Sequence, residues 1–443
     1  MARRNRRRKI PQDPMQATIE SLSHDGRGVA RIDGKTVFID GALVGETVQF
    51  LYTKTHSKFD EGKTIEVANP SVDRVEAKCQ HFGVCGGCSL MHMSPEAQLT
   101  LKQNTLIEQM SHFGHVTPQE WLEPLKGQLL GYRRKARLGV KHVPKKERVL
   151  VGFREKGTPY LALLEQCEVL DPRVGSRLVD LGEMIAGLEG YNRIAQIEVA
   201  MDDEHVALVF RNLDALSDLD QQVLIEFGQQ NDFWIYLQSG GPDTVTAIWP
   251  ISPQLSYEPE PGLTMHFEPN DFTQVNAGIN QKMIQKAITL LNVSEQDRIL
   301  DLFCGLGNFS LPMAKRAGQV VGVEGDAALV RHAQSNASLN NLDNAIFEQA
   351  DLTTTTLKEY DWAKAGFNKI VLDPPRSGAF EVLPQLAELG AERIVYVSCN
   401  PATLARDAGE LVNQLGYTLV SAGIMDMFPH TKHVESIAVF DKV

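Results

Sequence analysis

The 443-residue sequence predicts a multidomain α/β chain. A small all-β barrel comes first, then an α/β middle region, then a doubly wound, mainly parallel sheet. Three observations predict this. The length exceeds what a single hydrophobic core serves. Residues 13–72 hold short, alternating, β-branched runs divided by glycine turns. Residues 266–443 alternate strand-like runs with stretches long enough for a helix.

Composition sets the bounds on function. Hydrophobic residues make up 43% and charged residues 23%, as in globular proteins. No apolar run approaches the roughly 18 residues that span a bilayer. The basic N-terminus lacks the apolar segment of an export signal. A cytoplasmic protein without a membrane partner is expected. Net charge is −12, which argues weakly against a polyanionic partner, but the basic groups are gathered. Residues 3–9 carry six of them and no acid, and residues 132–156 carry ten Lys or Arg against Glu147 and Glu155. Such stretches suit contact with nucleic acid, although a lone basic run is as often a solvated face.

Taken in order, residues 1–12 read as a basic tail. In 13–72, the runs Met15-Gln-Ala-Thr-Ile-Glu, Lys35-Thr-Val-Phe-Ile-Asp and Glu46-Thr-Val-Gln-Phe-Leu-Tyr alternate as half-buried strands do. About five strands fit, enough for an OB-like barrel of the oligonucleotide-binding kind. Ser23-His-Asp-Gly-Arg-Gly-Val-Ala-Arg, with Gly41-Ala-Leu-Val-Gly-Glu-Thr-Val after it, resembles a TRAM domain, which implies RNA binding. Residues 73–265 read as the middle domain. It opens with a cysteine cluster over 73–92 and a polar helix over 94–113, a candidate to pack on the catalytic domain. Runs such as Arg137-Leu-Gly-Val and His205-Val-Ala-Leu-Val-Phe give the remainder an antiparallel look.

From 266 to 443, strand-like runs recur at Arg298-Ile-Leu-Asp-Leu, Gln319-Val-Val-Gly-Val-Glu, Ala345-Ile-Phe-Glu-Gln, Lys369-Ile-Val-Leu-Asp and Arg393-Ile-Val-Tyr-Val. This is a Rossmann-like pattern, and such sheets bind ligands at the carboxyl ends of their strands. Asp301-Leu-Phe-Cys-Gly-Leu-Gly-Asn-Phe ends the first strand, with Gly305 and Gly307 where backbone must bend near a ligand. The next strand ends in Glu324, 23 residues after Asp301, placed to accept two ribose hydroxyls. Asp351 follows the third strand and faces an adenine amino group or the ribose. A nucleoside with an amino-acid tail and no phosphate fits these acids, which describes S-adenosylmethionine better than NAD.

Cys399 ends a strand on the side where these loops gather. Asn400-Pro401 then starts a helix whose N-terminal dipole is expected to stabilise a thiolate. Asp373-Pro-Pro-Arg376 ends the preceding strand with an acceptor and a cation. Carbon 5 of uracil is a poor nucleophile. A thiolate adding to carbon 6 makes an enolate that carries electron density to carbon 5, and a base must later remove the carbon 5 proton. Glu435 is the candidate base. His430 and His433 compete with it, and each alone reads as structural.

Asp301-Leu-Phe-Cys-Gly-Leu-Gly-Asn, Asp373-Pro-Pro-Arg, Ser398-Cys-Asn-Pro, His433-Val-Glu435 and Phe272-Thr-Gln274-Val-Asn together resemble the RNA uracil-5-methyltransferases over nearly the whole chain. The resemblance implies a C-terminal S-adenosylmethionine-dependent methyltransferase domain, with Cys399 as nucleophile and Glu435 as base. It implies that Gln274, Phe303, Asn308, Glu324, Asp351 and Asp373 line the donor and target-base pocket. Cys79, Cys85, Cys88 and Cys167 offer four soft ligands, and their spacing leaves zinc and an iron–sulfur cluster near even. The resemblance implies a [4Fe-4S] cluster.

A TRAM-like module together with that cysteine pattern resembles the branch that modifies uracil 1939 of 23S ribosomal RNA. The partner expected is therefore 23S ribosomal RNA, with no protein partner implied and a monomer expected. The alternatives are another or a second 23S site, an amino-group nucleic-acid methyltransferase, or a non-catalytic RNA-binding iron–sulfur protein.

Overall fold

The computed structural model describes residues 10–352 and 357–443, so the basic run 3–9 lies outside the described residues. Residues up to Thr105, with Pro429–Lys432, form one compact unit. Leu106–Phe428 and His433–Val443 form the other.

In the first unit, β1 (Met15–Thr18), β2 (Ser21–Leu22), β3 (Gly28–Ile32), β4 (Lys35–Asp40), β5 (Thr47–Thr55) and β6 (Phe59–Val67) form one sheet in the order β1-β5-β6-β4-β3-β2. Alternation along β4 turns Val37 and Ile39 inward to meet Ile19, Val48 and Phe50. Gly62 is required in β6, because a Cβ there would stand 2.4 Å from the Phe50 ring. The cysteine loop follows. Its Ser89 and Leu90 N–H groups donate to the His430 carbonyl, each at 2.9 Å. His430 itself is buried beside Gln98, with Nδ1 3.2 Å from Nε2, and so serves this unit's structure.

In the second unit, β7 (Glu120–Trp121) precedes a six-stranded sheet of β8 (Ala136–Val143), β9 (Arg148–Gly152), β10 (Ile194–Met201), β11 (Val206–Asn212), β12 (Phe233–Gln238) and β13 (Val245–Trp249). Its order is β13-β12-β11-β10-β8-β9, antiparallel apart from the β11–β12 pair. A hairpin of β14 (Leu255–Glu260) and β15 (Leu263–Phe267) leads to the last sheet. That sheet contains β16 (Arg298–Leu302), β17 (Gln319–Glu324), β18 (Ala345–Gln349), β19 (Lys369–Leu372), β20 (Arg393–Ser398), β21 (Tyr417–Met425) and β22 (Glu435–Lys442), in the order β18-β17-β16-β19-β20-β22-β21-β7.

Strands β16 to β20 run parallel and β22 runs against them. Parallel strands covered on both faces explain the near-continuous apolar runs of the sequence. One face packs on the helix Ala277–Leu291 through Met283, Ile284, Val371, Val395 and Ile437. The other carries Leu311, Val330, Ala333 and Phe347, sealed by Leu263, Met265 and Phe267 of the hairpin. Strand β7 lies beyond the stretch where the sequence pattern placed this sheet; it pairs in parallel with β21 at Ser421 and Ala422.

Candidate active site

Strand order reverses between β16 and β19, so the loops after these two strands flank a crevice. After β16 the chain turns sharply. Phe303, Gly305 and Gly307 have φ values of 63°, 53° and 91°. The left-handed Phe303 is strained for a residue with a side chain, and it is held because its N–H donates to the Val323 carbonyl at 2.9 Å. Nothing lies within 4 Å of where a Gly305 Cβ would stand, so the crevice is open above the loop.

Glu324 is fixed at the end of β17 by three backbone donors. Gly305 N–H reaches Oε2 at 3.1 Å, and Gly325 and Asp326 N–H reach Oε1 at 2.7 and 3.2 Å. The carboxylate is only half-buried, so it is not sealed from solvent. Asp301 is fully buried. Ser310 donates to its Oδ2, while its Oδ1 has no partner among the described residues. Burial, aided by Asp373 and Glu324, pushes the Asp301 carboxyl up to about 7. Burial also pushes Asp373 up to about 7. A cationic ligand would relieve both.

Asn308 is placed differently from a ligand-facing amide. It exchanges two hydrogen bonds with Asn280 (2.9 and 3.0 Å), and Tyr257 donates its hydroxyl to Oδ1 at 3.1 Å. Asn280 and Tyr257 escaped the motif reading, since they sit on the helix Ala277–Leu291 and strand β14. The helix register of Asn280, four residues after the N-cap Asn276, was the available signal. Gln274 is half-buried just before that helix, and Phe272 is exposed. Their loop is held from outside the motif. Lys135 donates its ammonium to the carbonyls of Pro269 and Asp271, and His332 Nδ1 lies 3.0 Å from Asp271 Oδ2. Burial lowers the Lys135 ammonium to about 8. Asp351 is exposed, one residue after Ala350, whose N–H donates to the Glu324 carbonyl at 3.0 Å.

Cys399 directly follows β20, and Glu435 opens β22. These strands are antiparallel neighbours, and their register pairs Ser398 with Ser436. The next step along the ladder apposes Cys399 and Glu435. Asp373 directly follows β19, the strand next to β20, and Asn400 caps the helix Pro401–Asn413 while its Nδ2 donates to the Arg376 carbonyl at 3.1 Å. The electrostatics correct one expectation. Burial, then Glu435 and Asp373, raise the Cys399 thiol to about 11, and Arg376 only partly opposes them. Burial is the largest cause, and the carboxylates of Glu435 and Asp373 add to it. Cys304 is buried in the donor loop with its thiol pushed up, as a packing residue would be.

Asp407, buried on the helix Pro401–Asn413, ties down the chain after Arg376. Its Oδ2 accepts from Ala379 N–H at 2.8 Å and from the Tyr396 hydroxyl at 2.6 Å. Arg406 donates to Asp407 Oδ1 at 2.8 Å and to the Ser377 carbonyl at 2.9 Å.

The cysteine loop is a separate feature. Cys79, Cys85 and Cys88 are all half-buried in irregular backbone, and Gly87 N–H lies 3.4 Å from Cys85 Sγ. Cys167 belongs to the other unit, where its N–H donates to the Gly175 carbonyl at 2.9 Å. Among the described residues no group of three or more His, Cys, Asp or Glu side chains is gathered to hold a metal ion.

Residues 260–443 match the family model for tRNA (Uracil-5-)-methyltransferase, and residues 14–65 match the TRAM domain. The 23S rRNA (uracil(1939)-C(5))-methyltransferase RlmD of Nitrosococcus oceani is 56% identical over 443 residues, covering 100% of this chain and 99% of the relative. The protein of the same description from Francisella tularensis subsp. novicida is 50% identical over 450 residues, covering 100% of both. Among solved structures, the Pyrococcus abyssi tRNA (uracil-54, C5)-methyltransferase in complex with S-adenosyl-L-homocysteine superposes with a TM-score of 0.71 at 23% identity. That alignment covers 96% of this chain and 99% of the other, and it shows a shared fold.

Proposed function

The chain belongs to the RNA (uracil-C5)-methyltransferase family, in the 23S ribosomal RNA branch, and from that premise we propose that it methylates carbon 5 of uracil 1939 through a covalent adduct on Cys399. The observation that carries the mechanism is the apposition of Cys399 and Glu435 at the ends of two hydrogen-bonded strands, beside the loop of Asp301 to Asn308.

S-adenosylmethionine supplies an electrophilic methyl on a sulfonium. Glu324, with Asp351 beyond it, is suited to its ribose side, and the buried Asp301 and Asp373 to its positive charge. Gln274, Phe303 and Asn308 complete the pocket, with Asn308 acting by bracing the loop. Cys399 loses its proton to solvent and its sulfur bonds to carbon 6, so the carbon 5–carbon 6 π pair moves into an enolate. Carbon 5 then attacks the sulfonium methyl, whose bond to sulfur breaks with its electron pair staying on sulfur, so that S-adenosylhomocysteine leaves. Glu435 removes the carbon 5 proton, and the freed pair restores the double bond and expels the Cys399 thiolate. The test is trapping with 5-fluorouridine RNA, in which a fluorine replaces the removable proton. A stable methylated protein–RNA adduct is expected, absent in Cys399→Ala. If the parent protein methylates normal RNA but gives no adduct, the thiolate mechanism is wrong. An adduct that forms on unmodified RNA but releases slowly in Glu435→Gln assigns the base.

Cys79, Cys85, Cys88 and Cys167 are proposed to hold a [4Fe-4S] cluster. Three thiols within ten residues, with Gly86 and Gly87 between two of them and an N–H aimed at sulfur, suit a soft inorganic core. Binding of such a group and ordering of its loop are coupled. Anaerobically purified protein should absorb broadly in the visible region, and Cys85→Ser should abolish that absorbance. Colourless protein containing zinc would replace iron–sulfur with zinc.

A further inference from the structure

A groove far in sequence from the catalytic motifs lies on the edge of the six-stranded sheet. It encloses about 700 Å³, within the range of ligand-holding clefts. Strand alternation sends Arg137 and Lys141 of β8 onto the groove side, while Ala136 and Leu138 go into the core. Between them Gly139 pairs with Gly152 of β9, so two residues without side chains meet at the floor. Leu161 packs against Gly139 so closely that a Cβ would lie 2.7 Å from it.

The rim adds Lys146, from the turn joining β8 and β9, and Arg154. Arg137 is committed to Glu198 at 2.9 Å, while Lys141, Lys146 and Arg154 form no ion pair among the described residues. Arg154 and Leu161 are bridged across a tight hairpin, and Glu155 N–H donates to the Tyr160 carbonyl at 2.8 Å. That hairpin fixes the backbone of Tyr160 and leaves its side chain 71% exposed at the groove mouth. An aromatic ring on a braced loop beside three unpaired cations is the chemistry that holds single-stranded nucleic acid, with phosphates on the cations and a base on the ring.

We propose that this groove is a second RNA-binding site that holds an unpaired segment of the substrate RNA, with Tyr160 stacking on a base and Lys141, Lys146 and Arg154 contacting phosphates. The proposal rests on the function reading above, in that the RNA is the one the enzyme methylates. It assigns the groove to grip and not to chemistry.

The experiment uses the full chain with its cluster and a fluorescein-labelled transcript of the 23S segment around uracil 1939, titrated by anisotropy at several salt concentrations. The triple variant Lys141→Ala, Lys146→Ala, Arg154→Ala should weaken binding at least tenfold at 0.1 M salt and flatten the log–log salt slope by about 2, at roughly 0.7 per phosphate released. Tyr160→Ala should weaken binding about tenfold with the slope unchanged. Both should keep the parent kcat at saturating RNA and the parent affinity for S-adenosylmethionine. If the parent methylates the transcript and the variants bind it with unchanged affinity and slope, the groove is not an RNA site. If the parent does not methylate the transcript, the function reading fails first, and the groove loses its assigned RNA.

Discussion

The nucleophilic role proposed for Cys399 carries a contradiction that its chemistry has to resolve. A nucleophile needs its thiolate, yet burial and the carboxylates of Glu435 and Asp373 hold the thiol at about 11. In the absence of ligands almost all of it is protonated at neutral pH, which protects it from stray alkylation and oxidation. In the proposed donor site, the sulfonium cation beside Asp301 and Asp373 is the counterweight. The sign of each neighbour is testable. Removing the negative charge of Glu435 makes the thiolate easier to form, so Glu435→Gln should move the pH midpoint of Cys399 alkylation below about 11. At pH 8 its rate should rise severalfold over the parent, measured with iodoacetamide and peptide mapping. An unchanged midpoint would mean that Glu435 does not face the sulfur.

At the scale of elements, the helix Pro401–Asn413 connects chemistry to packing. It starts two residues after Cys399, and its far half meets the turn Met110–Gly114 backbone to backbone. Gly409 is glycine because a Cβ there would stand 2.7 Å from the Gly114 carbonyl oxygen, and a Gly114 Cβ would stand 2.4 Å from that of Ala405. Gly409→Val should therefore separate the two elements. An expected cost is about 1–3 kcal/mol in denaturant stability, with a loss of kcat as the helix start shifts. Retention of full stability would show that the turn moves aside freely.

This contact also marks the limit of what sequence shows. The parallel strands were legible because both their faces are buried, so their apolar runs are continuous, and Asp301, Glu324 and Asp373 fall at their ends by count alone. The apposition of Cys399 and Glu435 was not legible. It depends on β22 inserting antiparallel between β20 and β21, a pairing across 36 residues that no local pattern encodes. The same holds for β7, two residues long, and for Tyr257, Asn280 and Asp407, whose partners are distant in sequence. The raised thiol pKa was missed because it depends on which carboxylates fold toward the sulfur, whereas the helix start could be read directly.

Over the second unit as a whole, the donor crevice concentrates carboxylates in a buried place, and its stability should register them. Asp301 and Asp373 both have folded-state values near 7, above the roughly 4 of an unfolded chain. The folded state thus binds protons more tightly than the unfolded one. Their stabilising contribution is full below about pH 4 and is lost as pH rises through 7. Stability of the ligand-free protein should fall between pH 5 and pH 8 for this reason, on the order of 2 kcal/mol for each group once relaxation is allowed for. Asp301→Asn keeps an acceptor for Ser310 but cannot ionise. It should be more stable than the parent at pH 8, with the difference shrinking toward pH 5, read as urea midpoints across that range. In the proposed site S-adenosylmethionine brings positive charge to these two acids, so its stabilisation of the parent should grow from pH 5 to pH 8. In Asp301→Asn that growth should be smaller. A variant whose stability tracked the parent at every pH would mean that Asp301 is not the group that titrates, and the unpartnered Oδ1 would then need another account. If the variant gained stability at pH 8 and still bound the donor as tightly as the parent, Asp301 would be a strained structural acid with no part in recognising the methyl donor.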